Sequence, residues 1–107
     1  MKKFSTRSIR DGDIAEAMVS LHYMKDGWEV FPSQTNSGPI DLVIVNTDTK
    51  EVRYIDVKSR EVWDRNKTTG QYNNWRVKPS PVQVSLGVKF VYVERSSGTI
   101  CEDYVHN

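Results

Sequence analysis

Residues 40 to 57 constrain the fold more than any other part of the chain. Two β-branched segments, residues 40–45 and 51–57, flank Asn46-Thr47-Asp48-Thr49-Lys50, a run that reads as a hairpin connection. With the turn centred between Asp48 and Thr49, paired residues have numbers adding to 97, and Asp41 stands opposite Asp56. Directly opposed residues of an antiparallel pair share a face, with Cβ atoms roughly 4.5–5.5 Å apart. The hairpin is therefore expected to hold two carboxyl groups side by side. Both strands are apolar on both faces, the pattern of central strands covered by helices.

The rest of the chain arranges itself around that hairpin. Residues 13–26 place Ile14, Met18 and Leu21 with Ala15 and Ala17 at helical spacing after an Asp11 or Asp13 cap, and Gly27 suits the helix end. A short strand at 28–31 leads into turn formers at 32–39. After the hairpin, residues 59–78 are polar, rich in Asn, Thr and Gly, and marked by Trp63, Tyr72 and Trp75. Ser80-Pro81 reads as a cap and first-turn proline, predicting a short helix over 81–86 that stops at Gly87. A strand at 88–94 and a last one near 100–105 complete the order. No internal repeat or second-domain boundary appears, so residues 1–107 form one α/β or α+β domain with a basic, aromatic insertion at about 60–79.

At this length much of the surface stays in water, and pairing with a second copy to form a homodimer is the expectation. Cys101 is the only cysteine and no apolar run is long enough for a bilayer, so an intracellular setting without membrane attachment is expected. The formal charge of +1 hides an uneven distribution. Lys2, Lys3, Arg7 and Arg10 open the chain with no acid among the first ten residues, and residues 58–78 hold six cations against two acids.

Two adjacent carboxylates repel unless something neutralises them, and a divalent cation does so. Mg²⁺ prefers hard oxygen ligands and commonly takes one or two carboxylates, completing its shell with water and phosphate. The backbone carbonyl of Val57 is a further candidate ligand. Lys58, two residues beyond Asp56, leaves the same strand face, where an ammonium can hold an attacking water or stabilise charge developing on phosphorus. The bland reading of the same residues is a pair of strand-end acids salt-bridged to Lys58 or Arg53.

Gly38-Pro39-Ile40-Asp41 followed by Ile55-Asp56-Val57-Lys58 resembles the PD-(D/E)XK nuclease signature, with Ile40 inserted between proline and aspartate. With Gly27-Trp28-Glu29-Val30 and the loop ending Ser37-Gly38, the first 60 residues look most like archaeal-type Holliday-junction resolvases. The likeness implies a restriction-endonuclease-like core, a central mixed sheet with order αβββαβ and helices on its faces. It also implies Mg²⁺, with Mn²⁺ as a substitute, and a dimer cutting four-way DNA. Glu16 matches the helical acid that completes the metal site, and Ser37 the loop serine near the scissile phosphate. Asp41, Asp56 and Lys58 match the core of the motif.

Glu16 has a solvated helix surface, and Ser37 its own turn, as the ordinary alternative. Arg60, Arg65, Lys67, Arg76 and Lys78, interleaved with Trp63, Tyr72 and Trp75, suit a DNA face because cations meet phosphates while aromatics stack on bases. The same aromatics could bury a dimer contact. Arg7 and Arg10 extend the basic surface. His22 reads as a helix-surface residue and His106 as inert, so a zinc site is not expected. Besides a resolvase, the residues allow a homing or restriction-type endonuclease cutting duplex DNA at a sequence, or a non-catalytic DNA-binding accessory subunit.

Overall fold

The computed structural model describes residues 6–35, 38–62 and 77–102. The element order is α1 (Thr6–Lys25), β1 (Glu29–Pro32), β2 (Leu42–Asn46), β3 (Glu51–Arg60), α2 (Pro81–Leu86), β4 (Lys89–Glu94) and β5 (Thr99–Glu102). The strands form one sheet in the order β1-β2-β3-β4-β5, antiparallel throughout except between β3 and β4. The chain is an α+β domain built on a mixed five-stranded sheet, and no helix among the described residues is long and apolar enough to cross a membrane.

The hairpin has the expected register, Leu42 with Ile55 and Asn46 with Glu51. Its connection is closed by Asn46, whose side-chain oxygen accepts from the Asp48 and Thr49 amides, and by Lys50 at a φ of 67°. Asn and Asp commonly fold turns in this way.

Helix α1 begins at Thr6, seven residues before the start at residue 13 that the apolar stripe predicts. Asp11 and Asp13 therefore lie inside the helix rather than capping it, and Arg95, distant in sequence, reaches Asp11 at 3.4 Å. At its other end Gly27, at a φ of 89°, donates to the Met24 carbonyl while the Trp28 amide donates to Tyr23. This pair of bonds satisfies carbonyls the helix leaves open and turns the chain into β1.

Ala15, Val19 and Tyr23 of α1 pack on Leu42, Ile44, Ile55, Val91 and Val93 to make the core, with Trp28 at its margin. Arg53 stacks over Trp28 at 4.7 Å and bonds Glu51 and Glu102, and Glu102 also receives the Tyr23 hydroxyl. Phe90 and Tyr92 form a smaller cluster, which strand alternation places on the other face of β4.

Among the described residues, that other face is less covered than the sequence implies. Phe31, Val52 and Tyr54 stay exposed, because α2 is a single six-residue helix that contributes no buried residue. At 1.5 Å per residue it spans only about 9 Å, too short to roof three strands. Strand β3 runs three residues past the predicted end, and its parallel neighbour β4 carries it there.

Candidate active site

The β2–β3 ladder ends one residue before the acids would pair. The Asp41 amide donates to the Ile55 carbonyl at 2.8 Å, so at this end Asp41 meets Ile55, and β2 proper starts at Leu42. The shift does not separate the two carboxyl groups. Asp41 Oδ2 accepts from the Val57 amide at 2.7 Å, which fixes its side chain against the Asp56–Val57 peptide. The Asp41 carbonyl accepts from Ser33, tying the end of β1 to the same point.

Burial, a hydrogen bond with the Asp56 carboxyl, and the charges of Asp56 and Glu16 push the Asp41 pKa up to about 7, while the Val57 amide pulls it the other way. Desolvation and like charge both favour the protonated acid. Asp41 is therefore held toward its protonated form at a position where a cation would offset the same repulsion.

Asp56 is 6% exposed, and its Oδ2 meets Lys58 Nζ at 3.1 Å and the Gln83 amide at 3.2 Å. The Lys58 ammonium also lies 5.4 Å from the centre of the Phe90 ring. The bland reading is thus met in part, since Lys58 does pair with Asp56. Arg53 does not, being held by Glu51 and Glu102, and among the described residues no cationic side chain forms a salt bridge with Asp41. A half-buried carboxyl with no counter-ion is costly to retain as mere structure.

Glu16 is half-buried on α1, and its carboxyl is raised by burial first, then by the charges of Asp13 and Asp56. It lies within electrostatic reach of the pair without closing on it. Among the described residues no three His, Cys, Asp or Glu side chains converge as a ready metal cage. The donors present, two carboxylates and the Val57 carbonyl, fit a hard cation that takes one or two carboxylates and completes its shell with water and phosphate.

Of the other expected residues, Arg10, Arg60 and Lys78 are exposed, with Arg60 two residues beyond Lys58 on β3. Arg7 belongs to α1 at a position whose side chain is not described. Ser37, Trp63, Arg65, Lys67, Tyr72, Trp75, Arg76 and His106 lie outside the described residues.

Gln83 is the residue the sequence did not single out. It is the third residue of α2, and its side chain completes a reciprocal cap with Ser80 while its amide reaches Asp56 and the Pro39 carbonyl. The signal was the Ser80-Pro81-Val82-Gln83 string, which spells a capping box. Compared with protein-family models, curated protein sequences and solved structures, the chain matches none.

Proposed function

We propose that this chain is a divalent-metal-dependent endodeoxyribonuclease of the PD-(D/E)XK type, with a restriction-endonuclease-like core, acting on branched DNA as a homodimer. The observation that carries the reading is the meeting of two aspartates, Asp41 just before β2 and Asp56 on β3, with Lys58 3.1 Å from the second. The motif order supports it, because proline and aspartate lie just before β2 while aspartate and lysine lie on its hairpin partner β3.

Asp41 and Asp56, with the Val57 carbonyl, would hold Mg²⁺, or Mn²⁺ in its place. Bound there, the ion supplies Lewis-acid polarisation of a phosphate and acidifies water. Lys58 sets one positive charge beside the position where charge develops on the phosphoryl oxygens. Asp56 holds Lys58 in place before substrate arrives. Arg10, Arg60 and Lys78 offer phosphate contacts that position the nucleic acid without reading it.

The test is cleavage of labelled four-way, flap, linear and supercoiled DNA with Mg²⁺ or with EDTA. Paired cuts near the branch of the four-way junction, lost in EDTA, are expected. Cutting confined to a sequence in linear duplex would favour a restriction-type enzyme, and binding without cutting a non-catalytic DNA-binding subunit.

Glu16→Gln tests the third acid. Because Glu16 acts on the pair through space, cleavage is expected to fall about tenfold, the low end for a group acting through metal ligands. A loss as deep as that of Asp56→Ala would instead make Glu16 a direct ligand.

A further inference from the structure

Gln83 uses both side-chain donors and its carbonyl oxygen in hydrogen bonds. Its Nε2 donates to the Pro39 carbonyl at 3.0 Å and to Asp56 Oδ2 at 3.2 Å, and its Oε1 accepts from the Ser80 amide at 3.0 Å. An amide carries two N–H donors and one carbonyl acceptor, so these three bonds use both ends of the group. Rotating the amide would set oxygen against a carbonyl and a carboxylate, and NH₂ against an N–H. The orientation is therefore fixed by its partners. The backbone of Gln83 is held as well, since its carbonyl accepts from Val88 and its amide donates to Ser80 Oγ.

The capping box needs only the Oε1 bond, and glutamate serves equally well at that position. The two N–H bonds are additional, and they join the two chain segments that carry the acids. Pro39 lies two residues before Asp41, at the point where the β2–β3 ladder has already ended. Asp56 lies on β3 across the gap.

We infer that Gln83 is a positioning residue of the two-aspartate site, its amide clamping Asp56 and the Asp41-bearing segment at once. For its effect on cleavage this rests on the nuclease reading; its effect on geometry does not. Groups that orient metal ligands lower affinity or activity by about 10–100-fold when removed.

Three variants separate the clamp from the cap. Gln83→Glu keeps size and capping box but loses both donors, Gln83→Ala loses everything, and Ser80→Ala loses the hydroxyl cap alone. One readout is cleavage of the preferred DNA. The other is the backbone amide signal of Val57 in metal-free protein, which reports the 2.7 Å bond to Asp41. Both Gln83 variants are expected to cut about 10–100-fold more slowly and to move the Val57 signal upfield with broadening, as Asp41 loosens. Ser80→Ala is expected to melt a few degrees lower, with cleavage and the Val57 signal close to wild type. Wild-type cleavage by Gln83→Glu, or an unmoved Val57 signal in that variant, overturns the clamp. If the unmodified protein cuts no DNA the nuclease reading fails, while the Val57 signal still decides the role of Gln83.

Discussion

Asp56→Ala is expected to reduce DNA cleavage by at least about 10³-fold while leaving DNA binding in place, a loss somewhat beyond removal of one charge-stabilising group because a ligand and the anchor of Lys58 go together. Asp56 is one of the two carboxylates that meet, and it holds the Lys58 ammonium at 3.1 Å. On the proposed reading, binding would rely on phosphate contacts made by other side chains, and removing a negative charge beside the phosphate would not weaken them. In EDTA, the affinity of the variant for the same DNA should equal or exceed that of the wild type. The fold should also survive. Lys58 loses its partner but keeps a third of its side chain in water, and Asp41 loses the neighbour that repels it. Filter binding, single-turnover cleavage and thermal melting check the three parts. Retained cutting would remove Asp56 from the chemistry, and parallel loss of binding and melting temperature would make it a structural acid.

The second large effect is on stability against pH in metal-free protein. The Asp41 carboxyl keeps its proton up to about pH 7, whereas the unfolded chain releases it near the ordinary value of 3.8. Between those limits the native protein binds more protons than the unfolded chain, so stability falls as pH rises. The contribution is complete below about pH 4 and gone once pH has passed through 7. Melting temperature should therefore decline from pH 4 to 7 and then level. Asp41→Asn should remove most of that decline, with the raised Glu16 supplying a smaller remainder of the same sign. Mg²⁺ should raise the melting temperature at pH 8 more than at pH 5, since a cation and a proton compete for the same oxygens. A flat profile in the wild type, or an undiminished slope in Asp41→Asn, would contradict a raised Asp41 carboxyl.

How far the sequence reveals this arrangement depends on how local the cause is. The hairpin register was readable because a side chain inside the turn, Asn46, closes it. The helix over 81–86 and its stop at Gly87 were readable for the same reason: cap, proline and glycine lie within eight residues. The early start of α1 was not, because its first turns carry no apolar stripe. Arg95, far along the chain, secures that part of α1 at Asp11.

The site divides along the same line. The nearness of Asp41 and Asp56 followed from strand pairing, yet the final contact depends on a slip at Asp41 and on the Val57 amide, which pairing rules do not foresee. Gln83 is not marked by the sequence, where Ser80 and Pro81 signal the start of α2. Its bonds to Pro39 and Asp56 arise only when three distant segments meet.

The parallel pairing of β3 with β4 has a consequence for how such a protein can change. A parallel neighbour obliges the chain to leave at one end of a strand and return at the other. Here the exit is fastened where Arg95 and Ser96 donate to the Arg60 and Glu61 carbonyls, and the return where the Val77 amide meets the Tyr92 hydroxyl. Between fastened ends, sequence can be exchanged like a cartridge. For the nuclease proposed above, substrate preference would be altered there with Asp41, Asp56 and Lys58 left in place.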